Sequence, residues 1–592
     1  MTFISTPPHQ FHIPVMGTGF TIDTPLRVAR FGISSVVSIG DDHLIEEMRG
    51  LHSRRAGLPF VPIKTSETDS RARRIRAYLD LLHDLVEQQF TELRDGSFDT
   101  PGELTRYFDY LPEGALKDTY RQMRDCTDAS ERVALQADLR RRMVAGRIDV
   151  NIMAKVDGEH IFRDGSGEPI RGIARTALRG FATSKLCSRV VLSAGLNKKL
   201  LANLADFPDF MPVDGNRPKK GVTIKVSDYR SAFLQGKILA RHGVWVSEFR
   251  VESGLNCGGH AFATVGELMG PILEEFRLKK QTLHSILMDI YAEALEKTGR
   301  KPWGGEEFEV SAQGGAGTNE EQNLLLGEFK VDSVGWGTPF LLVPEATNVD
   351  AAHLRKLADA GEDDVMLSSA SPLGLPFWMM KNSDSETNRK RLVSEGRPGS
   401  KCPKSFLAAD TQFTEVPICR ASRVFQKRKL AELSGTIAEH PNRESEIDEV
   451  LSKACLCADL AAGALKKNGL DTDAYTAVCC GPGIVDFNRV ATLSEMIDHI
   501  YGRISLLSNA DRPHMFIREL SQYVSYLADQ TARKARGMSD LPEKYFEEFR
   551  ANLLKGIAFY RETAERLKQQ SREPFLAALE AFENRLALAL AG

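Results

Sequence analysis

Two turns rich in small residues carry the clearest chemical signal in this sequence. One is Gln313-Gly314-Gly315-Ala316-Gly317-Thr318 and the other is Trp336-Gly337-Thr338-Pro339-Phe340; each follows directly on a short apolar run. Glycine lets backbone approach a ligand closely, and free N–H groups at a helix start point at an anion, so the pair suits a phosphate. Either turn alone reads more readily as an ordinary connection, because glycine is common in turns; it is their paired placement that carries the signal. A third segment, Val251-Glu252-Ser253-Gly254-Leu255-Asn256-Cys257-Gly258-Gly259-His260, sets a histidine beside two glycines. Its imidazole titrates near neutral pH and can act as base, acid or hydrogen-bond donor, or can simply satisfy local backbone groups. Cys257 is a second reactive candidate or a small packing residue. Asn151 lies within an apolar run, where an unpaired amide is costly to bury, so it is read as meeting a polar ring. Lys225 ends another apolar run and can set positive charge against a developing anion, or reach solvent.

The elements that must position these residues follow a strand–helix rhythm. Apolar runs predict strands at 13–16, 34–39, 149–153, 189–194, 221–226, 243–247, 308–312 and 331–335, with helical stretches between most of them. Thr24-Pro25 is read as the N-cap and first residue of the first helix. Eight strands are what a closed (β/α)8 barrel needs, and its active site lies at the C-terminal strand ends, where the glycine turns fall. The fold expected is therefore α/β: a TIM barrel over 1–350, with a charged helical insertion at 66–146 after the second strand. A Cys-containing extension at 351–485 and a helical region at 486–592 follow. Residues 381–400 are read as an exposed loop or linker.

At 592 residues the chain has room for such a barrel and its additions. A net charge of -3 and only short basic clusters give no reason to expect nucleic acid as a partner. No run approaches a membrane span, and the N-terminus lacks the order of a signal peptide. Nine cysteines, an odd number, point to reduced thiols and a cytoplasmic location. Six of them, Cys402, Cys419, Cys455, Cys457, Cys479 and Cys480, follow residue 400. Some of these could hold a [4Fe–4S] cluster or zinc, although no C-x2-C pair occurs. Structural thiols and a redox disulfide are the other readings.

Taken together the residues resemble the nitronate monooxygenase (2-nitropropane dioxygenase-like) superfamily, which includes flavin-dependent enoyl-ACP reductases. The resemblance covers about residues 10–65 and 147–350. It runs through Ile13-Pro14-Val15-Met16-Gly17, Asn151, the Gly-Gly-His signature ending at His260, Ser311-Ala312-Gln313-Gly314-Gly315, and Gly337-Thr338-Pro339-Phe340 with Glu345 following. The length and Cys480-Gly481-Pro482 with Phe487-Asn488 resemble the enoyl reductase of polyunsaturated fatty-acid synthases. The signature loop here is longer, by Leu255-Asn256-Cys257 and one small residue. What the resemblance implies is an FMN-binding TIM barrel. The phosphate would sit on Gly314, Gly315, Gly337 and Thr338, and the flavin ring would be contacted by Asn151 and Lys225. Met16 and Gly17 would pack against the ring, with Gly258 and Gly259 bordering it and His260 as catalytic acid or base. The substrate would be a small molecule, nitronate-like or enoyl-type. Partners compatible with this are an electron donor, an acyl carrier and a second copy of the chain. Two further readings are a flavin/iron–sulfur reductase fed by an electron-transfer partner, and an FMN-free accessory barrel.

Overall fold

Alternation within single strands explains the core of this protein. In Val246–Glu252, Glu248, Arg250 and Glu252 share one face, while Phe249 and Val251 share the other. Phe249 packs its ring against Phe276 and Phe308 under the surrounding helices. The charged face therefore points into the interior of a barrel.

The computed structural model describes residues 6–152, 161–163, 169–193, 195, 197–256, 264–435 and 442–588. The barrel strands are β1 (Phe11–Ile13), β2 (Ser34–Ser38), β3 (Ile148–Asn151), β4 (Arg189–Leu192), β5 (Gly221–Val226), β6 (Val246–Glu252), β7 (Glu309–Gln313) and β8 (Ser333–Gly335). All pair in parallel, and β1 closes the ring between β8 and β2. The eight expected strands are the eight observed, with shifted ends. The first stops at Ile13, because Pro14 has no N–H to give to a ladder. The sixth begins at Val246 and runs to Glu252.

The early helices are α1 (Thr24–Val28), α2 (Asp42–Arg55), α3 (Ser70–Arg94), α4 (Glu103–Tyr110), α5 (Ala115–Asp125), α6 (Ala129–Arg142) and α7 (Ile173–Ala182). The N-cap of α1 is Asp23, not Thr24, and Thr24 donates its hydroxyl to Ala346 O at 2.7 Å. Residues 66–146 are helical, as expected, in four helices, and α3 belongs to the helix layer, packed against α2 and α7. Its stripe of Ile75, Tyr78, Leu79, Leu82 and Val86 is fully buried. A Cβ on Gly180 of α7 would stand 2.7 Å from Ile75, so the two helices touch backbone to side chain.

The middle of the chain adds α8 (Lys198–Asn203), α9 (Tyr229–Arg241), α10 (Met269–Glu296), α11 (Asn319–Gly327) and α12 (Ala351–Ala358). Beyond the barrel come α13 (Asp384–Ser394), α14 (Arg423–Gly435), α15 (Arg443–Ser452), α16 (Leu456–Lys467), α17 (Leu493–Ile500), α18 (Met515–Ala535), α19 (Glu543–Thr563) and α20 (Gln569–Leu588). A hairpin of Val365–Ser368 with Phe377–Met380 precedes α13. The expected linker at 381–400 is thus largely a helix, capped by Ser383, whose Oγ accepts from Glu386 N at 3.4 Å. Its polar composition hides the helix from a hydrophobic pattern. Among the described residues no helix is long and apolar enough to cross a membrane.

The barrel interior is held by ions. Glu248 Oε1 accepts from Arg250 Nε at 2.8 Å and from the Ser311 hydroxyl. Its Oε2 accepts from Arg189 Nη1 and Thr223 Oγ1, both at 3.0 Å. Arg189 also reaches Glu309 across the lumen, at 2.7 Å. Burial pushes the Glu248 carboxyl up, but Arg250 and Arg189 outweigh it and hold it far below the usual range. Removing Glu248 leaves Arg250, 2% exposed, without its carboxylate. We expect Glu248→Ala to cost about 3–5 kcal/mol, and the joint change Glu248→Met with Arg250→Met to cost less than the single one. Denaturant titration of the three proteins measures this; a loss below about 1 kcal/mol for Glu248→Ala would show that the network contributes no more than a surface pair.

Candidate functional site

Strands β7 and β8 end side by side, which brings the two small-residue turns together. Gly314 and Gly315 adopt φ of +110° and +93°, conformations that side-chain-bearing residues rarely adopt. A Cβ on Gly314 would stand 2.9 Å from Asn256 N, and one on Gly315 would stand 2.8 Å from the Leu255 side chain. The turn then runs into α11, whose N-cap Thr318 accepts from Glu321 N at 3.1 Å. Gly337 opens a short 3-10 helix, Thr338–Leu342. Gly314, Gly315, Gly337 and Thr338 line one narrow cleft together with Gly483, Asp486 and Arg512, and its free space of about 20 Å³ is room for roughly one water. The N–H groups of Gly315, Ala316 and Gly337 have no acceptor among the described residues.

Side-chain charge in the cleft is balanced. Arg512 donates to Glu321 at 2.6 Å, to Asp486 at 3.1 Å and to Gly315 O at 2.9 Å. Arg518 holds the other Asp486 oxygen at 2.9 Å. Burial pushes the Asp486 carboxyl up, and the two arginines only partly offset it. A phosphate would therefore be held by backbone N–H groups and helix starts rather than by a surplus of cations. The open N–H groups fit that demand, but Glu321 already accepts from Gly317 N at 2.8 Å and Arg512 lies on Gly315 O, so a phosphate enters only if Arg512 gives way.

Next to the cleft, the mouth of the barrel carries a polar ring centred on Glu252. Its Oε1 meets Lys225 Nζ at 3.1 Å, Asn256 Nδ2 at 2.7 Å and Gln313 Nε2 at 2.9 Å. Gln313 Oε1 lies 3.4 Å from His12 Nε2. Burial, helped by Arg250, lowers His12 to about 3, so the ring is neutral and its Nε2–H is the donor. Ser333 then donates to Nδ1 at 3.2 Å. Asn151 ends β3, 1% exposed and paired in register with Ser38 and Val191. Lys225 thus stands at the mouth as an ion-pair partner of Glu252, rather than at an exposed strand end. Met16 is fully buried, and its N–H donates to Thr21 Oγ1 at 3.2 Å. Gly17, at φ +54°, turns the chain past Cys479, whose sulfur is 3.6 Å from the position of a Cβ there. Glu345 caps α17 by accepting from Leu493 N.

Cys257, Gly258, Gly259 and His260 lie outside the described residues. The two flanks of their segment are described, and both are tied to the C-terminal helices. Gln522 donates to Gly254 O at 3.0 Å, and Asn552 donates to Val265 O at 2.8 Å. Thr264 reaches the Tyr523 hydroxyl at 3.5 Å. Glu519 accepts from Met269 N at 2.9 Å and from Tyr560 at 3.3 Å, and burial raises its carboxyl to about 7. Helices α18 and α19 therefore hold both flanks of the segment, at Gly254 and at Val265. The polar residues doing this are scattered over amphipathic helices and leave no local motif.

The six late cysteines divide. Cys479 and Cys480 are buried at the rim, where the following Gly481 N–H donates to Thr338 Oγ1 at 3.1 Å. Cys402, Cys419, Cys455 and Cys457 gather elsewhere, around the loop before α14 and the start of α16. Among the described residues no three His, Cys, Asp or Glu side chains converge as ligands of a single metal ion.

The grip on the signature segment is testable. We expect Gln522→Ala, which strips Gly254 O of a buried donor worth about 1 kcal/mol, to speed amide exchange over residues 254–264 while β1–β4 keep their protection. Unchanged exchange there would show that α18 does not hold the segment. In sequence comparisons the chain fits no protein-family model, and no curated protein matches it.

Proposed function

We propose that the protein is an FMN-dependent oxidoreductase, acting on a small nitronate-like or enoyl-type substrate. The observation that carries this reading is the double glycine turn at the ends of β7 and β8 of a closed parallel barrel. In such barrels the loops after the last two strands are the frequent phosphate site. Bound FMN would supply the capacity to accept or donate a hydride or single electrons. The chain's own part would be positional and protonic. Gly315, Ala316 and Gly337 would give N–H groups to the phosphate. Asn151 and Lys225 would offer donors to the ring, and the Lys225–Glu252 pair at 3.1 Å keeps that lysine aimed along the mouth. Met16 and Gly17 would flank the ring. His260 would hold or move the proton at the reacting carbon, between flanks that α18 and α19 hold.

Freshly purified protein should be yellow, with the absorbance of oxidised flavin, and should release FMN on heating. Gly315→Ala should lose the flavin, because its new Cβ would press on Leu255. His260→Ala should keep the flavin and lose turnover of nitronates and enoyl thioesters, by about 10²-fold or more. Colourless protein that takes up no FMN would overturn the reading in favour of an accessory barrel. Full activity in His260→Ala would remove the histidine from the reaction.

A further inference from the structure

Between α13 and α14, residues 395–422 form neither helix nor strand, and a stretch of that length without secondary structure is usually functional in a folded body. Its two ends are held together by backbone. Ser400 N donates to Ala421 O at 2.9 Å, and Arg423 N donates to Ser400 O at 2.8 Å. A Cβ on Gly399, at φ +84°, would stand 2.7 Å from Arg423 Cα. Further in, Asp410 N donates to Ile418 O at 3.0 Å and Ile418 N to Asp410 O at 2.8 Å. The loop therefore closes on itself, and Cys402 and Cys419 stand just inside the closure.

The two cysteines meet there. Cys419, 4% exposed, makes a small core with Ala408 and Ala421, separate from the main one. Cys402 packs against this core and is partly open to solvent. The thiols are in contact, with Cys419 donating to the Cys402 sulfur. The Ser405 hydroxyl stands 3.8 Å from the same sulfur, and Cys402 N donates to Ser400 Oγ at 3.2 Å. The bond from Cys419 outweighs burial and, helped by Ser405, holds the Cys402 thiol below its ordinary range. The same bond, and burial, push the Cys419 thiol up. Both are free thiols. An accessible, acidic thiol beside a second thiol is the arrangement that peroxides oxidise first.

From this contact we propose that Cys402 and Cys419 are a redox modification site for hydrogen peroxide, with Cys402 attacking and Cys419 resolving. The Cys402 thiolate attacks one peroxide oxygen and the O–O bond breaks. The hydroxide released takes up the proton that Cys402 gave up, and leaves as water. Cys402 is then a sulfenic acid. The Cys419 sulfur attacks the Cys402 sulfur, the S–O bond breaks, and the departing hydroxide takes the Cys419 proton as a second water. Two thiols thus give two protons and two electrons to one peroxide and end as a disulfide. Lys404 and Phe406 lie between the two cysteines. Lys404 Nζ bonds Asp41, the N-cap of α2, and Phe406 lies 5.2 Å from the Arg71 guanidinium and 6.2 Å from the His43 ring. The disulfide would close this docked stretch into a covalent ring on the start of α2, just after β2, and make its opening rarer. The pair needs no flavin, so it stands or falls apart from the reading of the barrel.

The test uses the full chain, reduced, freed of reductant and treated with one equivalent of hydrogen peroxide. Remaining thiols are alkylated and the digest is read by mass spectrometry. The expected product is a disulfide joining the Cys402 and Cys419 peptides, reversed by dithiothreitol, with slower amide exchange over 403–418. Cys402 should be lost at least about tenfold faster than Cys126 and Cys187, partly exposed thiols outside the loop. Cys419→Ser should leave Cys402 as a sulfenic acid that dimedone labels. Either of two results would overturn the proposal: no Cys402–Cys419 peptide while other cysteines are oxidised, or loss of Cys402 no faster than of Cys126 and Cys187. A disulfide that left exchange over 403–418 unchanged would overturn the fastening of the loop. The wild-type peptide map is decisive alone, so a variant that fails to fold leaves the test intact.

Discussion

Glu248, fixed inside the barrel by Arg189 and Arg250, is the interaction on which the rest of the structure depends. All four of its bonds come from groups on strands β4, β5, β6 and β7, so it is satisfied only when those strands are in one register. Side chains alternate along a strand. A slip of one residue in β6 would turn Glu248, Arg250 and Glu252 outward, onto helices that expect Phe249 and Val251. Unpaired charge there would be far more costly than an apolar mismatch. The ion network thereby sets the position of Glu252 two residues further on, and with it the ring of Lys225, Asn256 and Gln313 at the mouth.

The same register brings Gln313 to the end of β7, and the glycine turn begins one residue later. From there the site is completed by chain that follows the barrel. Arg512 bridges Glu321 at the start of α11 to Asp486 and lies directly on the glycine turn through Gly315 O. Helices α18 and α19 hold the ends of the Gly-Gly-His segment. The C-terminal region is therefore a structural part of the barrel mouth, and the cysteine-bearing loop is fastened to the turn after β2. The two glycine turns and the polar ring around Glu252 share one end of the barrel because one set of strand ends positions them all.

Much of this was legible in the sequence, for physical reasons. The strands read as short apolar runs because parallel strands are buried on both faces, and α3 showed its stripe at helical spacing. The two turns were legible as paired small-residue segments after the last two strands, and Gly314 and Gly315 do take φ values that favour glycine. The charged barrel interior went unread, although Glu248, Arg250 and Glu252 recur at every second position, the spacing of one strand face. The strand expected at 243–247 stops short of them, because charged residues interrupt the apolar run. Helix α13 was missed because its outer face is polar throughout, yet Ser383 followed by Glu386 is the spacing of a helix cap. Arg512, Asp486 and the gripping residues of α18 could not be found, since their roles arise from contacts hundreds of residues apart.

The most direct test of the central claim separates the phosphate from the rest of the flavin. Protein stripped of any bound flavin is titrated with FMN and, in parallel, with riboflavin, which has the same ring and no phosphate. If the turns at Gly314-Gly315 and Gly337-Thr338 hold the phosphate through their N–H groups, FMN binds at least about 100-fold more tightly, since charge-assisted hydrogen bonds of about 1.5–3 kcal/mol each are lost with riboflavin. Equal affinity for the two would contradict a phosphate site at these turns.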